Sequence, residues 1–364
     1  MESTHRAHYP APYPRLVVDV SKIRDNTAAI AGLAADFGMS ITGVTKACCG
    51  DPCVGRAMLA GGAASLADSR LNNLRRLREG GVTADLMLLR TPMLSQAERT
   101  VELADVSLNT EPAVMAALSE AAVERGVSHK VVLMVELGER REGIMPGELP
   151  EVTARALDME GIEVYGMGVN LACLTGVVPT ADKMRAFEEV VQDVQDSCGI
   201  RFSMVGGGNS ANIPLLLKGE HPATVINNLR VGEAILLGLE TVERTPVPGT
   251  HQDAFTLEAE LIETKRKPSV PDGWVSQNAF GETPSFEDRG VIRRGIVALG
   301  RQDVLVEGLT PCSADVEIVA SSSDHLVLHL KSNTYRVGDV ISFHVNYGAL
   351  VSASTSPYIA TCHR

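Results

Sequence analysis

Short apolar runs alternate with amphipathic stretches along most of this chain, and that alternation limits the folds open to it more than any other feature. The stretches repeat apolar residues at intervals of three and four and carry glycine near their ends, as amphipathic helices do. The eight apolar runs are residues 40–46, 65–69, 84–90, 105–109, 130–137, 162–171, 201–207 and 225–232. Eight strand and helix units predict an α/β fold with a closed (β/α)8 barrel over residues 21–240.

The pattern changes after residue 240 to the alternation of β-strands separated by turns. The strand-like segments are residues 253–271, 290–300, 314–330 and 335–348. A chain of 364 residues also exceeds the roughly 250 to 300 at which one hydrophobic core usually stops growing. We therefore predict a second, mainly-β domain built from residues 1–20 and 241–364, and we expect the apolar run at 15–20 to pair with its strands.

Charge and composition exclude several classes of function. A formal net charge of −12 disfavours binding to a nucleic-acid backbone, which needs a clustered basic face. There is no run of about 18 apolar residues that would cross a membrane, and the first fifteen residues lack the apolar segment of a secretion signal. Seven cysteines without framework spacing indicate reduced thiols. These features predict a cytoplasmic protein that binds neither nucleic acid nor membrane.

Polar residues end nearly every predicted barrel strand. In a (β/α)8 barrel, side chains at the carboxyl-terminal strand ends face the active-site mouth, whereas the same residue types elsewhere usually serve stability or the surface. The strand-end residues are Lys46, Asp68, Arg90, Asn109, Glu136 with Arg141 just beyond it, Asn170, Asn209 with Ser210, and Arg230. The carboxyl-terminal end of the barrel is therefore the predicted active site.

Two glycine-rich turns follow the last two predicted strands, in "VGGGNSANI" (205–213) and "NNLRVGEAILLG" (227–238). Backbone N–H groups at such turns bind phosphate, and barrels often build a phosphate site from the loops after strands seven and eight. The spacing of a dinucleotide-binding fingerprint is absent. A glycine run is also commonly a simple tight turn, so the phosphate interpretation depends on the two turns occurring together.

Arg230 and Lys46 each allow a functional and a plain interpretation. A permanent cation inside a barrel mouth needs a carboxylate, a phosphate or a heteroaromatic nitrogen beside it, and an internal salt bridge from Arg230 to Glu233 or Glu136 is the plain alternative. Lys46 is either a surface lysine at a strand end or an amine that binds a cofactor covalently. A strand-end lysine, two glycine turns and an inward arginine together suggest pyridoxal 5′-phosphate.

Two other chemistries are disfavoured by the spacing of their residues. Adjacent Cys48 and Cys49 cannot easily both face one tetrahedral ion, and no further cysteine pair follows Cys53, so we predict no metal site. A Ser–His–Asp hydrolase is disfavoured because Asp324 and His325 would point to opposite faces of a strand.

Several stretches resemble the alanine/ornithine racemase family of fold-type III pyridoxal-phosphate enzymes, whose fold is that of alanine racemase. They include "TGVTKACCGDP", "LADSRLNNL", "LMVELGERREGI", "GGGNSANI", "NNLRVGEAILLG" and "FEDRG", and the resemblance runs from about residue 15 to 360. It implies that Lys46 binds the cofactor covalently and acts as one catalytic base. The cofactor-binding residues that we expect are Lys46, Arg141, Asn170, Asn209, Ser210, Arg230, Gly232 and Glu233.

The resemblance also gives individual roles. Arg141 would contact the cofactor phenolate or the substrate carboxylate, Ser210 with backbone groups near Gly232 and Glu233 would hold the phosphate, and Arg230 would meet the pyridine nitrogen without giving up its proton. Asn170 stands where the alanine enzymes usually stack a histidine on the ring, so the aromatic stack is absent.

In the family, a tyrosine from the partner subunit serves the second face of the substrate, which implies a head-to-tail homodimer. This chain has Phe280 where that phenol is expected, and Phe280 cannot take a proton. The second base is therefore unknown, with three candidates. They are Glu282, Asp288 and Tyr347. Ser323 and Asp324 match the substrate-facing loop that would also cross the dimer interface.

The resemblance predicts a pyridoxal-phosphate-dependent amino-acid racemase that acts on ornithine or a related basic amino acid. An alanine or serine racemase is the alternative within the same reaction. A lyase of the D-threonine aldolase or D-serine dehydratase type is the alternative outside it. Those lyases use a divalent metal held by a His-x-Cys pair near the carboxyl terminus, where this chain has Tyr347 and Ala349.

Overall fold

The computed structural model describes residues 12–222 and 224–364. Residues 1–11, which the sequence analysis placed in the second domain and examined for a secretion signal, lie outside the described residues. Contacts divide the chain into one unit of Val20–Ala254 and a second that joins the chain before it to Phe255–Arg364. Residues 241–254, which the sequence analysis gave to the second domain, fall in the first unit. The strand β1 (Arg15–Val18) precedes the barrel in the chain but belongs to the second unit.

Eight parallel strands of the first unit close into a barrel, which confirms the predicted (β/α)8 architecture. Each of the eight predicted apolar runs overlaps one strand, and only β6 begins outside its run, by one residue. The strands are β2 (Ser40–Val44), β3 (Ser65–Asp68), β4 (Leu86–Leu88), β5 (Val106–Asn109), β6 (His129–Val135), β7 (Ile162–Val169), β8 (Met204–Gly206) and β9 (Asn228–Val231). The barrel closes where β2 pairs with β9, in a register that sets Thr42 beside Arg230.

Within the described residues, nine α-helices accompany these strands. They are α1 (Val20–Ala35), α2 (Pro52–Ala60), α3 (Leu71–Glu79), α4 (Ala97–Leu103), α5 (Pro112–Arg125), α6 (Leu149–Leu157), α7 (Ala181–Cys198), α8 (Ile213–Leu217) and α9 (Glu233–Leu237). Their ends follow ordinary capping rules, since the Asp51 side chain accepts from the first N–H groups of α2 and Gly199 ends α7 with a left-handed φ of 66°. Across the described part of the chain, no helix combines the length and apolar content needed to span a bilayer.

The second unit is mainly antiparallel β-structure, as predicted. Its remaining elements are β10 (Phe255–Pro268), β11 (Val291–Val297), β12 (Leu309–Pro311), β13 (Val316–Ser321), β14 (Leu326–Leu330), β15 (Val340–Val345), α10 (Tyr347–Thr355) and β16 (Ala360–His363). The strand β1 pairs antiparallel with β10 and parallel with β16, which confirms that the opening run joins this unit. The helix α10 was not predicted, and the Asn346 side chain caps it by accepting from the Ala349 N–H.

The barrel interior is filled by apolar side chains from alternate positions of its strands. Val44, Ala67, Met87, Val106 and Leu108 belong to one buried cluster with exposures of 5% or less. Interdigitated branched and thioether side chains of this kind close a barrel as a packed core rather than a pore. Chemistry is therefore confined to the two barrel ends, where the strands stop and the loops begin.

A polar network inside the barrel wall contains a buried histidine. The Nε2 atom of His129, at the start of β6, lies 2.8 Å from the Ser107 Oγ, and the Asn109 Nδ2 donates to the same hydroxyl at 2.9 Å. His129 is 2% exposed. Burial lowers its pKa to about 4, although the negative charge of Asp105 acts in the opposite direction. The folded protein therefore favours the neutral imidazole.

Because His129 is buried as the neutral imidazole, we expect the folded protein to lose stability in mild acid. An unfolded histidine binds its proton with a pKa of about 6.5, so between that pH and about 4 the unfolded chain holds more protons than the folded one. The free energy of unfolding should fall by about 1.4 kcal/mol per pH unit over this interval, or about 3 kcal/mol in all. Urea titrations at a series of pH values from 7 to 4 measure this free energy of unfolding.

The variant His129→Gln keeps a polar side chain near Ser107 but does not titrate, so its stability should be flatter over the same interval. The matched control His344→Gln removes an exposed histidine from β15. A profile for His344→Gln as flat as that of His129→Gln would contradict the assignment of the slope to His129.

Candidate active site

Lys46 lies at the carboxyl-terminal end of β2, two residues beyond the strand, and its side chain is exposed. It begins a short 3-10 helix, Lys46–Cys48, which the apolar pattern did not predict. The Thr45 hydroxyl just before it donates to the Asp68 carboxylate at 2.8 Å, and Cys49 just after it takes a left-handed φ of 53°. The backbone around Lys46 is thus fixed by neighbouring groups, while its amine is left open to the barrel mouth, the carboxyl-terminal end of the barrel.

Arg230 is a buried cation in β9, next to the strand that carries Lys46. It is 5% exposed, its Nη2 donates to the Val169 carbonyl at 2.6 Å, and its Nη1 has no hydrogen-bond partner among the described residues. Burial, and to a smaller extent the positive charge of Arg141, lower the pKa of this guanidinium to about 10, while the negative charge of Glu142 acts in the opposite direction. A buried N–H group that lacks a partner costs free energy, so this position suits an added acceptor.

The plain alternative for Arg230, an internal salt bridge, is wrong. Glu233 pairs with Arg244, and the Glu136 carboxylate accepts from the Gly138 N–H. Neither carboxylate is an ion-pair partner of Arg230 in the described part of the chain, so that guanidinium holds its charge without a direct counterion.

Glycines on the neighbouring strands make room for the Arg230 guanidinium. A Cβ atom on Gly206 would lie less than 3.0 Å from Nη1, and one on Gly168 would lie 3.4 Å from the same atom. Side chains in a packed strand leave no such space. The first of the three glycines in "VGGGNSANI" therefore accommodates Arg230, in addition to any part that the turn plays.

The two glycine turns contact each other through Ser210. Ser210 begins the 3-10 helix Ser210–Asn212, and its Oγ accepts from the Ala234 N–H of α9 at 3.3 Å. Gly232 is the residue directly before α9. Ser210 is 4% exposed. The loops after the seventh and eighth barrel strands thus form one polar surface beside Arg230.

Two asparagines connect this surface to the end of β7. The Asn209 Nδ2 donates to the Asn170 Oδ1 at 3.1 Å and to the Leu171 carbonyl at 2.7 Å, while its Oδ1 accepts from the Ala211 N–H. The Asn170 Nδ2 is buried and has no partner within the described residues. It is a second unpaired donor in the mouth besides the Arg230 Nη1.

Arg141 lies in the loop after β6. Its Nε and Nη2 donate to the two carboxylate oxygens of Glu142, and its Nη1 donates to the Cys173 Sγ. Burial by itself would lower the pKa of Arg141, but the hydrogen bond to Glu142 and the nearby acids outweigh it and raise that pKa. Glu142, Cys173 and the adjacent Glu139 were missed by the sequence reasoning. "GERREG" placed the glutamates near Arg141, but nothing in the sequence related Cys173 to them.

Of the remaining strand-end residues, Asp68 and Asn109 have structural contacts. Asp68 is fully buried and accepts from Thr45, the Arg70 N–H and Asn73; burial raises its pKa, and those donors oppose the shift. Asn109 belongs to the Ser107 network, and Arg90 is exposed. A cavity of about 400 Å³ lies instead at the amino-terminal strand ends, between residues such as Ser65 and Asn228, away from these side chains.

The expectation that Asp324 and His325 point to opposite faces is wrong, because residues 322–325 form a turn rather than a strand. The His325 Nδ1 lies 2.8 Å from the Asp324 carboxylate, and this hydrogen bond lowers the pKa of Asp324. The Ser322 Oγ interacts with Asp324 at 3.3 Å rather than with the imidazole, so this turn does not form the Ser–His contact of a hydrolase. Ser323 and Asp324 are both exposed.

The three candidates for a second base occupy different settings in the second unit. Glu282 pairs with Arg301 at 2.9 Å, which lowers the pKa of Glu282, and the same guanidinium lies over the Phe280 ring. Asp288 accepts from the Gly290 N–H at 2.9 Å. Tyr347 begins α10.

None of the seven cysteines, which all lie in the described part of the chain, forms a disulfide.

Comparison with known proteins gives consistent matches. The family model described as "Alanine racemase, N-terminal domain" matches residues 18–240. A protein named ornithine racemase, from Acetoanaerobium sticklandii, is 39% identical over 95% of this chain and 98% of its own length. One named lysine racemase, from Thermotoga maritima, is 35% identical over 95% of this chain and 97% of its own.

Solved structures share the fold at low sequence identity. The alanine racemase of a D-cycloserine-producing Streptomyces lavendulae superposes with a TM-score of 0.75 at 17% identity, covering 98% of both chains. The D-threonine aldolase of Filomicrobium marinum reaches 0.70 at 15% identity, covering 94% of this chain and 89% of its own. A racemase and an aldolase match almost equally, so the shared fold does not distinguish the two reactions.

The space for Arg230 can be tested by filling it. Gly206→Ala should displace the guanidinium or the strand, and we expect a loss of about 1–3 kcal/mol in the free energy of unfolding, as for other overpacked sites. The control Gly32→Ala lies on α1 with no atom within 4 Å of the added Cβ and should be neutral or slightly stabilising. Equal stability of the two variants in denaturant titration would refute the close approach.

Proposed function

The chain belongs to the alanine racemase N-terminal domain family, and on that premise we propose that its substrate is a basic amino acid, ornithine or lysine. It is an amino-acid racemase, which interconverts L and D enantiomers by removing and returning the α-proton. The choice of a basic side chain rests on the two relatives matched over nearly their whole length, whose names specify ornithine and lysine.

The residues at the barrel mouth fit pyridoxal 5′-phosphate as the cofactor. The observation that carries this assignment is the unpaired Nη1 of the buried Arg230, a donor for which a pyridine nitrogen is a suitable acceptor. Ser210 and the backbone around Gly232 and Glu233 would hold the phosphate, Asn170 and Asn209 would line the ring, and Lys46 would bind the cofactor covalently. When bound, this cofactor makes the α-proton of an amino acid acidic.

Two residues of the chain then act on the substrate directly. The Lys46 Nζ takes the α-proton from one face and returns it in the reverse direction. The Arg141 guanidinium holds the substrate carboxylate, a geometry that a planar fork of donors suits. Arg230 keeps its own proton at neutral pH, because even the lowered pKa of about 10 leaves it charged. Facing the ring nitrogen of the cofactor, Arg230 would donate a hydrogen bond without transferring its proton, which would disfavour long-lived carbanions and the side reactions that follow from them.

Racemisation needs a second proton carrier on the opposite face of the substrate. We infer that a head-to-tail homodimer supplies it from the second unit of the partner copy, as the family resemblance implies. Glu282 is already in an ion pair that favours its ionised form, Asp288 caps a turn, and Tyr347 carries a phenol. All three remain candidates, and Phe280 is unable to serve.

The distal ammonium of a basic substrate requires an acidic partner. The carboxylates near the mouth of the barrel unit already have partners, since Asp68 accepts three hydrogen bonds, Glu142 pairs with Arg141 and Glu233 pairs with Arg244. Asp324 is more available, because its side chain is 57% exposed and its hydrogen bond with His325 lowers its pKa, which favours the anion. We therefore assign recognition of the ammonium to Asp324, together with Ser323, from the partner copy.

A panel of amino acids tests the proposed substrate class. Incubated in deuterium oxide with L-ornithine, L-lysine, L-alanine and L-serine, the enzyme should exchange the α-proton and abolish optical rotation fastest with ornithine or lysine. Faster turnover of alanine or serine would reject the basic substrate in favour of the alternative racemase. Retro-aldol cleavage of D-threonine without any racemisation would instead identify a lyase.

Lys46→Ala should lose both the visible absorption of covalently bound cofactor and the racemase activity, because no other amine lies at this strand end. The control Lys218→Ala removes an exposed lysine beyond α8 and should keep both properties. Absorbance of the purified proteins with added pyridoxal phosphate, followed by polarimetry, gives the comparison. Full absorption and activity in Lys46→Ala would overturn the assignment.

A further inference from the structure

The loop after β6 carries three glutamates at intervals of three residues, and each has a different hydrogen-bonding task. The Glu136 carboxylate accepts from the Gly138 N–H within the loop. Glu139 accepts from backbone N–H groups of residues 173–175. Glu142 accepts from Arg141. Of the three acids, Glu142 binds Arg141 directly, and the negative charge of Glu139 also acts on that guanidinium.

The pair of Arg141 and Glu142 uses both oxygens of the carboxylate. Neighbouring residues in an extended segment point apart, so a bidentate pair between them needs an unusual backbone. Arg140, just before the pair, has a left-handed φ of 54°, which is uncommon for a residue with a side chain. Gly143, just after it, packs against Glu136, where an added Cβ would lie 2.7 Å from the Glu136 nitrogen. The turn that brings the two side chains together is thus fixed by its own backbone.

Glu139 supports the same guanidinium indirectly, through the segment that carries Cys173. It is 3% exposed, and its Oε1 accepts from the N–H groups of Cys173 at 2.8 Å, Thr175 at 3.0 Å and Leu174. These bonds hold the segment that carries Cys173, whose Sγ accepts from the Arg141 Nη1. Three backbone donors on one carboxylate oxygen favour the ionised form, and although burial works against it, the pKa of Glu139 is lowered.

The mouth also has an electrostatic need for an acid at this position. Arg141 and Arg230 repel each other, and the Arg230 guanidinium has no direct counterion among the described residues. The negative charge of Glu142 raises the pKa of Arg230, against the larger lowering by burial and by Arg141. It thus offsets the repulsion between the two guanidiniums as well as fixing the plane of one of them.

We propose that Glu142 is a positioning residue that holds the Arg141 guanidinium ready for the substrate carboxylate, with Glu139 as a second support acting through Cys173. The role of Arg141 in this statement rests on the proposed function. The clamp formed by Glu142, Arg141 and Cys173 is a property of the chain itself. It can therefore be measured without any turnover.

Chemical modification of Arg141 tests the clamp in the cofactor-free chain. Phenylglyoxal reacts with accessible guanidiniums, and peptide mass spectrometry reports each site. Glu142→Gln should raise the rate of modification at Arg141 about tenfold, because the neutral amide holds the fork more weakly than a carboxylate does. Exposed Arg90 in the same sample should be unchanged. An unchanged rate at Arg141 would overturn the proposal.

Kinetics of the loaded enzyme distinguish positioning from a direct chemical role. Arg141 would hold the carboxylate equally in the ground state and the transition state, so Glu142→Gln should raise KM for the basic amino acid about tenfold with less than about threefold loss of kcat. Glu142→Asp keeps the negative charge, so its KM should be closer to that of the parent enzyme than the KM of Glu142→Gln is. Glu139→Gln should raise KM by less than Glu142→Gln does. A fall in kcat with KM unchanged would reject positioning.

The control Glu148→Gln removes an exposed glutamate from the same loop region and should match the parent protein in every measurement. If Glu142→Gln does not fold, Glu142→Asp can be used in its place. Its shorter side chain should hold the guanidinium less well, so Arg141 should be modified faster than in the parent protein. A parent enzyme that racemises no amino acid would refute the proposed function, whereas the modification rates would still decide on the clamp.

Discussion

A charged guanidinium that is buried and has no counterion within residues 12–222 and 224–364 is the constraint on which the rest of the barrel mouth depends. Burying an unpaired charge is expensive, and proteins normally neutralise it or pair it. Arg230 is instead anchored by one hydrogen bond to the Val169 carbonyl and given space by Gly206, and its Nη1 has no partner in the part of the chain that the structure describes. Such an arrangement persists when a ligand completes it, which is why the position of one nitrogen atom is a stronger indication of function here than the fold.

The neighbouring groups are arranged around that charge. Ser210 joins the two glycine turns on one side, and the Asn170 amide leaves a second donor unpaired on another. Arg141 adds a second cation that Glu142 balances. The mouth therefore combines hydrogen-bond donors and positive charge with the exposed amine of Lys46, a set of groups that would suit an anionic, aromatic ligand. Because a racemase and an aldolase share this fold, the reaction of this chain has to be argued from its side chains rather than from its architecture.

Much of this architecture could be predicted from sequence, and the exceptions have identifiable causes. The eight barrel strands follow from apolar periodicity, because a strand buried on both faces needs a continuous apolar run. The helix α10 was missed because "YGALVSAST" has no clear helical stripe and depends on the Asn346 cap. The contact of Asp324 with His325 was missed because strand alternation was extended into a turn, where it no longer applies.

The sequence by itself determined the barrel, the second β-unit and the strand ends at which chemistry would lie, because these follow from local periodicity and from the rule that strand ends share one face. It left open whether Arg230 was paired with Glu233, and it gave no sign that Cys173 meets Arg141. Only the tertiary structure decided those questions. Contacts between residues far apart in the chain depend on strand register and loop geometry, which bring 173–175 to Glu139 and take Glu233 to Arg244.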